Sequence, residues 1–64
     1  MDTTEYEQLG FIKGATARTK VSGYKVILVS NIKLDIDNKM KVWVAMEFDT
    51  HVRYLAIVDE LELI

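Results

Sequence analysis

The sequence predicts an all-β fold, a small five-stranded barrel or strongly bent antiparallel sheet, and three observations carry that prediction. Residues 24–36 alternate, with Tyr24, Val26, Leu28, Ser30, Ile32, Leu34 and Ile36 on one side and Lys25, Ile27, Val29, Asn31, Lys33 and Asp35 on the other. Residues 40–48 alternate as cleanly, with Met40, Val42, Val44, Met46 and Phe48 opposite Lys41, Trp43, Ala45, Glu47 and Asp49. Between them lies Asp37-Asn38-Lys39, a turn composition, because Asp and Asn bond their own backbone and tolerate left-handed geometry. Period two over this length means strands with one buried face, and the pair reads as a β-hairpin.

The remaining elements follow in chain order. Residues 1–10 form a flexible or helical N-terminal segment. Thr4 and Glu7 have the spacing of a capping box, and Gly10 is placed to end the helix. Residues 11–21 alternate weakly, Ile12, Gly14, Thr16, Arg18 and Lys20 against Phe11, Lys13, Ala15, Ala17, Thr19 and Val21, and Ser22-Gly23 closes them. Ser30 and Asn31 interrupt the apolar content of the long strand, which predicts a bend or bulge there. Asp49-Thr50-His51 reads as a second turn. Beyond it two patterns compete. As a strand, residues 52–58 turn Val52, Tyr54, Ala56 and Val58 inward, then step through Asp59-Glu60 into a last short strand over 61–64. As a helix over 52–63, Tyr54, Ile57, Val58, Leu61 and Ile64 form a stripe, which would make the fold α+β. The β-branched content and the tight turn before it favour the strand.

Five short strands, one of them long and bent, resemble small SH3-like barrels at the level of fold. A chain of 64 residues has room for a single domain, taken as 1–64. The resemblance does not select a function, because such folds host many.

Composition narrows the setting. A 64-residue chain buries only about 60% of its unfolded surface, so a domain of this size usually gains from a disulfide, a metal or a partner. The chain has no cysteine and one histidine, which removes disulfides and leaves association. Half the residues are hydrophobic, enough to oppose disorder. The longest uncharged run, residues 26–32, is too short to span a bilayer, and the acidic start Met1-Asp2-Thr3-Thr4-Glu5 lacks the apolar core of a signal peptide. A cytoplasmic location with no membrane role is therefore expected. Six lysines against two arginines and frequent isoleucine suit an AT-rich genome, so a bacterial or phage origin is expected as well.

Catalytic signals are thin. His51 lies beside Asp49 and Thr50, a composition that turns commonly have, and no activated nucleophile is evident. Asp59 and Glu60 read as solvated turn carboxylates. Asp35, Asp37 and Asn38 open like a calcium loop, but that loop's glycine and glutamate positions hold Met40 and Met46. Gly10 and Gly14 are not followed by the Lys-Ser or Lys-Thr pair of a phosphate loop. The expectation is a protein that is not an enzyme and has no metal site or cofactor.

The more informative feature is an excess of apolar residues on the second face of the hairpin. If Val26, Leu28, Val42, Val44 and Tyr54 point into the core, then Ile27, Val29, Trp43, Ala45, Leu55 and Ile57 point away from it. Lys25, Lys33, Lys41, Glu47 and Arg53 would rim that face. An apolar patch with one tryptophan and a polar rim is how binding surfaces are composed. Burying ~400 Å² of it would contribute roughly 10 kcal/mol before ordering costs. Three covers are conceivable: the N-terminal segment through Tyr6, Leu9 and Phe11, a second copy forming a homodimer, or another protein. The expected protein-binding residues are Trp43, Ile27, Val29, Leu55, Ile57 and Arg53, in a small binding module, regulator, inhibitor or accessory protein.

Nucleic acid is the rival partner. Net charge is −2, yet residues 10–34 carry only positive charges, between acidic flanks. Lys13, Arg18, Lys20, Tyr24 and Lys25 could pair phosphate contacts with a stacking ring. The acidic isoelectric point of about 5.2 opposes it.

Overall fold

The computed structural model describes residues 3–64. The alternating runs become strands, and the breaks in alternation become the places where the sheet bends. After helix α1 (Thr4–Leu9) come β1 (Thr16–Thr19), β2 (Lys25–Leu28), β3 (Lys33–Leu34), β4 (Met40–Met46) and β5 (Asp49–Ile57), then a 3-10 turn (Val58–Glu60) and β6 (Leu61–Leu63). All pairings are antiparallel. With β5 occupying one edge of β4, β2 and β3 share the other, as two halves of one bent strand. Six segments thus make a sheet of five, ordered β5-β4-β2/β3-β1-β6 and curled into a half-barrel.

The bend falls where the sequence loses apolar content. Val29 still donates its N–H to the Trp43 carbonyl (2.9 Å), and then the chain departs from β4. At that point the Ser30 hydroxyl accepts the Trp43 N–H (3.0 Å), replacing the backbone carbonyl that an unbroken strand would have supplied.

The core fills the concave side. Val26, Leu28, Val42, Val44 and Val58 are fully buried there, with Ala17, Ile32, Met40, Met46, Ala56, Leu61 and Phe11 around them. Helix α1 presents no fully buried residue, but Tyr6 packs against this core and meets Phe11 edge-on, with ring centroids 6.2 Å apart. Its hydroxyl donates to Asp59 Oδ1 (3.1 Å), tying the helix to the 3-10 turn. Gly10 ends the helix at φ 113°, a conformation that L side chains resist, and a Cβ there would lie 3.1 Å from Leu63 Cδ1.

Several sequence expectations are corrected. The helical alternative for 52–63 is wrong, because pairing of 53–57 with β4 continues the sheet to Ile57. The helix cap is Thr3 rather than Thr4, and Glu7 donates its backbone N–H to the Thr3 carbonyl. Residues 11–15 form turns before β1 instead of extending it. The second turn is Glu47-Phe48, and β5 begins at Asp49. The turn chemistry of 49–51 serves a bulge instead. Register steps from Ala45↔Arg53 to Met46↔Asp49, so Thr50, His51 and Val52 face no residue of β4. Asp49 Oδ1 accepts the His51 N–H, and Arg53 Nε donates to the Thr50 carbonyl, which hold the bulge in shape. Tyr24, Leu34, Ile36 and Phe48, expected inside, are exposed because the alternation outruns the last core layer. Residues 1–10 are helical over Thr4–Leu9, while the first two lie outside the described residues. Among the described residues no helix is long and apolar enough to cross a membrane.

Candidate functional site

Strand β4 is the centre of the convex face. Its odd residues alternate away from the core, and pairing on both edges surrounds them. One row across the sheet reads Thr16, Ile27, Ala45, Arg53. The next holds Val29, Trp43 and Leu55, and the one after it Lys33, Lys41 and Ile57. Ile27, Val29, Leu55 and Ile57 are half-buried, Arg53 is exposed, and Trp43 is 45% exposed. Ala45 is 1% exposed, sealed at the middle of the patch by its larger neighbours. All six residues expected to bind protein therefore form one surface.

That surface is not covered by the N-terminal segment. Tyr6 and Phe11 pack on the concave core, and Leu9 is exposed. Of the three conceivable covers, the one built from Tyr6, Leu9 and Phe11 is therefore not the one these residues form.

Charges frame the patch at two ends. At one end Arg18 and Lys25 are cross-strand partners, and Arg18 reaches Glu62 Oε2 at 3.4 Å, both side chains being half-exposed. At the other, Lys41 Nζ lies 3.2 Å from Asp35 Oδ2 and 3.0 Å from Asp37 Oδ2. The Asp35 carboxyl is held below its usual range, first by the Ile36 N–H it accepts (2.7 Å) and then by Lys41. Lys41 does the same to Asp37, and the two aspartates raise the lysine. Asn38, at φ 65°, closes this turn, which leaves Ile36 wholly exposed at its tip.

The residues of the nucleic-acid alternative scatter. Arg18 and Lys25 sit at the edge of the convex patch, but Tyr24 points to the opposite side, where it packs against Phe48 at 6.2 Å. Lys13 lies in the turn before β1, and Lys20 follows β1 with its N–H on the Glu60 carbonyl (2.9 Å). No stacking ring stands among these cations on one face.

Sequence reasoning missed a second feature. Between β5 and the β1–β2 connection the half-barrel stays open, leaving a cleft of about 180 Å³ lined by Thr19, Val21, Ser22, Tyr54, Ala56, Glu60 and Leu61. Its walls come from three separated stretches of chain, so no local pattern announces it. Tyr54 is 38% exposed at its mouth. Burial, then the Glu60 charge, push the Tyr54 hydroxyl above its usual pKa.

His51 approaches Asp49 (Nδ1 to Oδ1, 3.3 Å) but is almost fully solvated and meets no nucleophile. Among the described residues no group of three His, Cys, Asp or Glu side chains is placed to hold a metal. No family model, curated protein or solved structure matches this chain.

Proposed function

We propose that the protein is a small cytoplasmic binding module, not an enzyme, that takes a protein partner on the convex face of its sheet. The observation that carries this is the uncovered row Val29-Trp43-Leu55, with the N-terminal helix spent on the opposite side. The strand order, with the first strand between the second and the last, supports reading the sheet as an SH3-like barrel left half-open. The cysteine-free composition suits a reducing compartment.

The energetics support a protein-sized contact. A stable interface covers about 800 Å² per partner, close to a fifth of the molecule's 4360 Å². The five apolar side chains Ile27, Val29, Trp43, Leu55 and Ile57 do not reach that area alone, so Arg53, Lys25 and Lys41 would enter the contact as its rim. Trp43 is the expected hot spot, as the large half-buried aromatic at the centre.

Mass in solution across a concentration series separates a second copy from a foreign protein as the occupant. For either, Trp43→Ala is expected to weaken association by at least about tenfold, with little response to added salt. Association that survives Trp43→Ala but collapses in salt and in the Lys13, Arg18, Lys20→Glu variant would replace this reading with nucleic-acid binding.

A further inference from the structure

The cleft on the open side of the half-barrel has a chemistry of its own. Val21, Tyr54, Ala56 and Leu61 give it apolar walls, and Tyr54 contributes an aromatic surface. Glu60 stands in its lining as the one ionisable carboxylate, and that carboxylate makes no ion pair with any described residue. The other two acids of this corner are engaged, Asp59 by the Tyr6 hydroxyl and Glu62 by Arg18. Val21 is 88% exposed, the unfilled flank of the opening. The volume, about 180 Å³, is of the size of a single long side chain.

An open apolar cleft with an unpaired carboxylate in its lining is complementary to one kind of side chain: a long aliphatic stem carrying a cation. Such stems bury their methylenes while the charged head stays at the polar end. A tyrosine wall adds attraction for the cation, and a carboxylate partner gives a charge-assisted hydrogen bond.

We propose that the cleft between β5 and the β1–β2 connection receives a lysine or arginine side chain from a protein segment, its stem against Val21, Tyr54 and Leu61 and its head on Glu60. This site is separate from the Trp43 surface and stands without it. The backbone around it is already fixed, because Lys20 N–H bonds the Glu60 carbonyl (2.9 Å) and the Thr19 and Ser22 hydroxyls bond each other. Binding would therefore require little ordering of the protein.

Short peptides test it. An acetylated, amidated Gly-Arg-Gly tripeptide, its Gly-Lys-Gly counterpart and the neutral citrulline version are titrated into the whole 64-residue chain, with amide shifts read by two-dimensional NMR. The cationic peptides are expected to shift Thr19, Val21, Tyr54 and Leu61 saturably in the millimolar range, leaving the Trp43 indole in place. Citrulline, and Glu60→Gln with either cationic peptide, should bind about two- to fivefold more weakly, as for an exposed ion pair. Glu60 is exposed, so the variant's own spectrum will confirm that it folds. Equal shifts from citrulline, unchanged binding in Glu60→Gln, or no response at the cleft residues would each overturn the proposal. Trp43→Ala should leave these titrations as they are, so failure here and failure of the convex surface are told apart.

Discussion

Trp43 and Val44 are consecutive residues of one strand, and they have opposite environments. Val44 is fully buried against Leu28 of β2 and opposite Tyr54, inside a layer that helix α1 and Phe11 help to close. Trp43 has similar backbone support, with Val29 and β5 on its flanks and Ser30 on its N–H, but its side chain stays 45% exposed. The difference lies in what the rest of the chain covers. A 64-residue domain has one spare helix, and this one spends it on the concave side. The concave face therefore carries the stability, and the convex face is the one we propose for contact with a partner.

That division can be broken by experiment, most forcefully from the concave side. Leu28→Ala is expected to cost about 2–5 kcal/mol, the usual range for a buried leucine, and to leave much of this small domain unfolded by urea titration or melting. Trp43→Ala should cost about 1 kcal/mol or less in the same assay while eliminating association. If the two variants were equally destabilising, the convex face would be structural and the contrast would fail.

Acid sharpens the picture at the rim. Asp35 and Asp37 have folded pKa values below their unfolded ones, so the stability they lend is present above the unfolded carboxylate range and is lost as pH falls through the folded values. The 35–39 turn should loosen only in strong acid, visible as faster amide exchange there. Lys41→Met, which keeps the stem but removes the charge, should reduce that pH dependence without removing it, because the Ile36 and Lys39 N–H groups still hold the two carboxylates. The smallest effect is expected from Arg18→Gln: its 3.4 Å bridge to Glu62 is half-exposed, so melting should move by an amount equivalent to about 0–1 kcal/mol.

Much of this architecture was legible in the residues because period-two alternation is a direct consequence of strand geometry. Val26, Leu28, Val42 and Val44 followed it into the core, and Ile27, Trp43, Leu55 and Ile57 followed it out. The same rule misled at the ends. Tyr24 and Phe48 continue the inward phase past the last covered layer, where there is no core to enter, and so they pack on each other. Asp49 has turn chemistry, but its side chain serves a bulge within β5, and local propensity does not distinguish these two uses of the same hydrogen bond. The cleft was beyond sequence reasoning because its walls meet only when residues 19–22, 54–56 and 60–61 are folded together.

The pairing of β1 with β6 joins Ala17 to Leu63 and Thr19 to Leu61, across more than forty residues of intervening chain. On a ribosome, β1 emerges early and must remain without that neighbour until residues 61–63 have been made. Ala17 keeps one flank unpaired throughout that interval. The β2–β4–β5 meander can form as soon as its own residues are available, because its contacts are short in sequence. Pairing of β1 with residues 61–63 is among the contacts of longest sequence separation in the sheet, the kind that topology makes slow to form. Removing residues 61–63 would take away the partner of β1 and the close approach of Leu63 to Gly10 at once.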